Sequence, residues 1–152
     1  MTGNEQVPPA PRTEPGTAAQ EWEPPAVGGV VELTVPAVAS FLPVVRAATA
    51  GLAARLSLTL DEIEDLRIAV DEACAMLLSL PAAEATGTPT LVCRYEVLAD
   101  ALAVRVSAPV KDGAALPAEQ SFAWRVLTAH ATSVSHGIGD GLAWIDLRKA
   151  RH

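Results

Sequence analysis

The sequence predicts an α+β fold: a two-layer α/β sandwich in which a mostly antiparallel, mixed sheet carries its helices on one face. Three observations lead there. Strand-like and helix-like segments follow in the order strand, helix, helix, strand, strand, helix, strand, strand, which stacks helices on one side of a hairpin-built sheet. The stretch 91–106 alternates apolar and polar residues with the period of a strand, and 133–136 with 142–147 reads as a second hairpin. The segment after Thr59 is apolar on most of its sides, as a helix wedged between neighbours must be.

Residues 1–28 hold most of a Pro/Gly/Thr/Glu-biased stretch, PPAPRTEPGT and then EWEPPAVGG. Few large apolar side chains are available there to offset the entropy of ordering, so a disordered tail is expected before a domain at 29–150. Trp22 is its one candidate anchor, the other reading being an incidental exposed aromatic. VVELTV then alternates with β-branched residues and ends at Pro36, the pattern of a strand. Over residues 38–56, Phe41, Val44 or Val45, Ala48, Leu52 and Leu56 recur at helical spacing, with Pro43 in the first turn.

Thr59-Leu60-Asp61-Glu62 is a capping-box sequence, in which the Thr59 hydroxyl accepts from the third helical amide while Glu62 reaches back. Behind it Ile63, Leu66, Val70, Ala73 and Leu77 form one apolar stripe. Ile68, Glu72 and Met76 stack four apart on another side, and Glu64, Arg67 and Asp71 form a polar edge. After the breakers at 81–89, Leu91, Cys93, Tyr95 and Val97 alternate with polar or smaller residues. They turn at Ala99-Asp100 into Leu102, Val104 and Val106, a hairpin. A loop with Pro109, Gly113 and Pro117 leads to a third helix at 121–131. Its expected apolar set is Phe122, Val126 and Ala129 or His130, flanked by Trp124 and Leu127. A final hairpin is expected across residues 137–141, with the glycines forming its turn.

Composition bounds the function. A chain of 152 residues forms one domain large enough to bury about 70% of its unfolded surface without disulfide or metal. Aromatics are only 4% of residues against 50% hydrophobic, so Ala, Val and Leu must build the core. A net charge of −7, from 11 basic and 18 acidic residues, argues against a direct nucleic-acid ligand and suits a basic protein partner. No run approaches the roughly 18 apolar residues of a membrane span, and residues 1–20 contain no secretory signal, so a cytoplasmic protein is expected. Cys74 and Cys93, lacking a CxxC spacing, read as small buried apolar residues, with a redox thiol as the alternative.

Glu72 is the most informative single residue. A carboxylate among apolar neighbours loses hydration and suits a general base; the plainer reading is a partly exposed glutamate at the edge of an amphipathic helix. Gly137-x-Gly139-x-Gly141 precedes a strand instead of a helix, so it is not a dinucleotide loop. His130, His136 and His152 lack metal-ligand spacing, and no nucleophile elbow or P-loop is present.

The segment DEIEDLRIAVDEACAMLL at 61–78 closely resembles the central helix of the RsbW-type anti-sigma serine kinases of the GHKL ATPase superfamily. SFAWRVLTAHATSV and LAWIDLRK look like that family's last helix and strand, so the resemblance spans about residues 30–149. It implies a Bergerat, histidine-kinase-like ATPase fold with a nucleotide cleft. It also implies a bacterial stress-response role in which the protein, as a homodimer, binds a sigma factor and is regulated by an anti-anti-sigma antagonist.

In such kinases a glutamate on this helix activates the antagonist's serine, the position of Glu72, and an asparagine one turn on holds magnesium. Met76 stands at that second position, and a thioether is a poor ligand for a hard cation. Ala108 falls where the family's adenine-binding aspartate is expected, with Asp112-Gly113 as the nearest remnant. Ser121 and Phe122, followed by Trp124, replace the glycine-rich phosphate loop, where bulky rings are expected to fill space that glycines leave open. These departures predict an anti-sigma factor that has lost its kinase activity and needs no cofactor. The alternative is an active serine kinase using ATP and Mg with Glu72 as base, and a third reading is a scaffold binding the antagonist alone.

Overall fold

The computed structural model describes residues 28–83 and 87–151, together with Gly3. The expected tail with Trp22, and His152, lie outside the described residues. Strand β1 (Gly29–Pro36) leads through a single 3-10 turn (Ala39–Phe41) into helix α1 (Leu42–Ala54), with Pro43 in its first turn. Helix α2 (Leu60–Leu78) follows, then β2 (Thr90–Val97), β3 (Ala101–Pro109), α3 (Phe122–His130), β4 (Ser133–Gly139) and β5 (Leu142–Ala150).

The strands form one sheet in the order β1-β2-β3-β5-β4. The expected mixed sheet is corrected in one respect: all four strand pairings are antiparallel. The reason is topological. Strand β4 runs parallel to β3, but the hairpin return of β5 slots between them, so the two never pair. Along β2 and β3 the alternation holds: Leu91, Cys93, Tyr95, Val104 and Val106 are buried beneath the helices, whereas Arg94, Glu96 and Arg105 lie on the helix-free face.

Helix α2 is the centre of the helical layer, packing on α1 and α3 and on strands β3 and β5. Its capping box is complete: Thr59 Oγ1 accepts from the Glu62 amide at 3.1 Å and the Thr59 amide donates to Glu62 at 2.7 Å. Leu66, Val70, Ala73 and Leu77 are buried as the stripe predicts, and Ala69 and Cys74 join them. The core is made almost entirely of Ala, Val and Leu, with Tyr95 and Trp124 as its aromatic members. Tyr95 is buried only because its hydroxyl meets Thr49 Oγ1 at 2.8 Å inside the core.

Two expectations for the C-terminal third are corrected. The inward face of α3 is Trp124 and Leu127, not the set led by Phe122, which is 79% exposed. Trp124 wins because its ring stacks on His136 at 4.3 Å while its indole nitrogen donates to the Pro117 carbonyl at 2.6 Å. The glycine turn is also shorter than expected. Strand β4 continues to Gly139, and only Asp140 and Gly141, with φ of 54° and 74°, make the turn, the geometry of a type I′ hairpin.

Candidate functional site

The polar residues of α2 are spent mostly on holding its neighbours. Asp71 forms a bidentate pair with Arg46 of α1, at 2.8 and 3.0 Å, the arrangement that fixes a guanidinium most firmly. Glu64 pairs with Arg67 along the exposed edge. Asp65 takes the Lys149 ammonium of β5 at 3.1 Å and hydrogen-bonds His130 of α3 at 2.9 Å. The His130 bond, followed by Lys149, holds the Asp65 carboxyl below the usual carboxylate range. This three-element junction has no signal in the sequence, because its members are scattered over the chain and Lys149 reads as an ordinary surface lysine.

Glu72 stands apart from this pattern. It is half-buried, and it makes no hydrogen bond or ion pair among the described residues. One turn further on, Met76 is 3% exposed and part of the core cluster. Ala108, at the end of β3, is 5% exposed in that same cluster, as is Val110. Beyond β3 the chain is tied down. Val110 bridges to Ala82, its amide donates to Gly141, and the Lys111 amide donates to Pro81, so the start of the loop lies against the end of α2. Trp124 holds the far part of that loop through Pro117.

Ser121 caps α3 in extended conformation, yet its hydroxyl makes no capping bond, and its oxygen is buried without a partner. The structure thus brings Met76 and Ala108 into one apolar cluster with Trp124. It separates Phe122 from them: the phenyl ring expected to fill the loop is 79% exposed, whereas Trp124 is buried. Cavities of about 340 Å³ on the helix-free face and about 490 Å³ beside β1 are lined by neither Glu72 nor Met76.

The two cysteines are buried and unbonded to each other by disulfide. Interaction with the neighbouring Cys93, followed by burial, pushes the Cys74 thiol well above its ordinary range.

An antiparallel five-stranded sheet with three helices on one face, the central one carrying a half-buried glutamate, defines a domain of the histidine-kinase-like ATPase architecture. A solved structure of the RsbU and RsbW domains of a Mycobacterium tuberculosis protein matches 81% of this chain and 32% of that one, with a TM-score of 0.65 at 15% identity. Among curated proteins, the serine-protein kinase RsbW of Halalkalibacterium halodurans is 54% identical over 44 residues, 29% of this chain and 27% of the relative. RsbW of Bacillus subtilis is 48% identical over 44 residues, 29% of this chain and 28% of the relative. RsbW of Bacillus cereus is 36% identical over 62 residues, 41% of this chain and 39% of the relative. No family model matches the chain. The matched segments thus span from about a quarter to two fifths of the length of these curated relatives. Within that extent the chain is similar to serine-protein kinases named RsbW, and its fold is similar to that of the RsbU and RsbW domain structure.

Proposed function

We propose that this domain is an anti-sigma factor that binds and sequesters an RNA polymerase sigma factor, is released by an anti-anti-sigma protein, and transfers no phosphoryl group itself. The observation that carries the second half is the burial of Met76 and Ala108 in the apolar core. At the positions where the resemblance calls for a magnesium ligand and an adenine acceptor, the chain offers a thioether and a methyl group. A magnesium ion wants oxygen ligands in near-octahedral array, and a base amino group needs an acceptor. These residues do not fit Mg-ATP.

Partner binding rests on the RsbW relationship and on an exposed apolar patch where α1 begins. Val38, Phe41 and Val44 are 47%, 39% and 47% exposed there. Beside them Arg46 is committed to Asp71, so the apolar side chains are the ones free to meet a partner. The net charge of −7 suits a basic protein surface and disfavours nucleic acid. The same reading makes the protein a cytoplasmic homodimer; no described helix is long and apolar enough to cross a membrane.

The experiment is co-purification with calorimetry. The tagged chain is expected to retain a sigma factor, and Phe41→Glu is expected to release it with little change in melting temperature. Titration with ATP and magnesium is expected to give no heat. One observation favours the alternative, an active serine kinase acting on the antagonist: Glu72 is half-buried and without a partner among the described residues, as a base awaiting a substrate hydroxyl would be. Micromolar ATP binding would establish that alternative, and capture of the antagonist but never a sigma factor would replace both with a scaffold.

A further inference from the structure

The cavity of about 490 Å³ is a groove at one end of the sandwich, between the end of α1, the start of β1 and the β2–β3 turn. Val31 of its wall pairs with Tyr95 and so shares the helix-covered face of the sheet, yet it is 41% exposed. Leu52, Leu56, Val97 and Leu98 continue this apolar wall. The charged side chains lining the groove are Arg55, just after α1, and Arg151, just after β5; no carboxylate of the described residues joins them. Neither arginine makes an ion pair among the described residues. The cavity on the helix-free face is the opposite case. Arg94, Arg105 and Arg148 line it together with Glu96 and Asp146, and each of the three holds a carboxylate. In a chain of net charge −7, the groove beside β1 is therefore a local positive site, suited to anionic groups that flank an apolar one.

The length of the groove selects the kind of ligand. Strands β1, β2, β3 and β5 are successive neighbours in the sheet. A path across their ends from Val31 to Arg151 is thus about 15 Å long, at about 4.8 Å per strand. An extended peptide covers that distance in four or five residues at about 3.3 Å each, and its alternate side chains point to one side. A carboxylate, an apolar group and a second carboxylate at alternate positions match the two arginines and the apolar wall in sign and in reach.

We propose that this groove binds an acidic segment of a partner protein in extended form, its apolar side chain against Leu52, Leu56 and Leu98 and its flanking carboxylates on Arg55 and Arg151. The site is separate from the apolar patch at the start of α1. The 13 residues of that helix lie between them, a distance of about 20 Å, so both can be occupied at once and neither reading depends on the other.

Fluorescence anisotropy of a fluorescein-labelled peptide containing Glu-Thr-Leu-Thr-Glu, titrated with the full chain, tests it. Binding is expected to saturate, to weaken with added salt, and to fall at least about tenfold in the double variant Arg55→Glu with Arg151→Glu. A peptide with lysine in place of both glutamates should bind that variant and not the unaltered chain, which also shows that the variant is folded. The acidic peptide should shift the methyl resonances of Leu52, Leu56 and Leu98, and Phe41→Glu should leave its affinity unchanged. Failure to saturate, equal affinity for the glutamate and lysine peptides, or undiminished affinity in the double variant overturns the proposal. So does a change of sedimentation mass on the double substitution, which would give the groove to a second copy. Tighter binding of decanoate than of the peptide would give it to a small amphiphile and overturn the proposal equally.

Discussion

Gly137 shows how one residue can be dictated from across a strand pair. It faces Trp144 on the helix-free side of the sheet, and a Cβ placed there would lie 2.6 Å from the indole ring. The indole is not free to retreat. The Arg105 guanidinium sits 4.6 Å over it, and Arg105 is itself gripped by both Asp146 oxygens at 2.7 Å. Gly137→Ala should therefore cost about 1–3 kcal/mol, the usual penalty of overpacking, read as a lower urea midpoint. In a Trp144→Ala background the same change should be close to neutral, since the clashing ring is gone. Equal costs in both backgrounds would mean that the strand, not the ring, requires glycine. In the sequence this glycine looks like part of a turn, because the ring that excludes a side chain is seven residues away.

Among the elements, α2 is the one whose local signals are strongest. Its boundary rests on the reciprocal bonds between Thr59 and Glu62. Thr59→Ala should destabilise the domain by about 1 kcal/mol, lowering the melting temperature by about 2–4 °C for a chain of this size. Thr59→Ser should keep most of that stability in the same calorimetric scan, because the accepting oxygen is retained. A full loss in the serine variant would point to the threonine methyl and away from the cap. The start and span of α2, the β2–β3 hairpin and the half-buried position of Glu72 were legible in the sequence because each follows from contacts within a few residues. The inward face of α3 was not. With nine residues, that helix has too little periodicity to choose a face, and the choice is made by the Trp124 contacts with Pro117 and His136. The candidate site divides in the same way. Met76 and Ala108 are singled out only by the resemblance of the segments around them to a known family, whereas the closing of the loop on Pro81 and Gly141 depends on distant backbone partners.

At the scale of the molecule, α2 is the hub and β4 the periphery. Eight residues of α2 are buried, against none of β4, which forms one edge of the sheet. Amides in the middle of α2 should exchange with deuterium only through global unfolding, while those of β4 open earlier. Mass-spectrometric exchange that found α2 as fast as β4 would remove α2 from that role. The hub is locked to the periphery at Asp65, where α2 meets His130 of α3 and Lys149 of β5. Because the hydrogen bond with His130 and then Lys149 depress the Asp65 pKa in the folded state, the folded protein releases this proton more readily than the unfolded chain does. The stability it contributes is therefore complete above the unfolded carboxylate value of about 3.9 and is lost as pH falls through the lower folded value. Asp65 is more than a third exposed, so solvent screening keeps the contribution small. Asp65→Asn should lower stability at pH 7 and narrow its difference from the unaltered protein as the pH drops below about 4, as read from urea midpoints across the acid range. A gap that stays constant down to pH 2 would show that the carboxylate's charge plays no part and that the junction is held by shape alone.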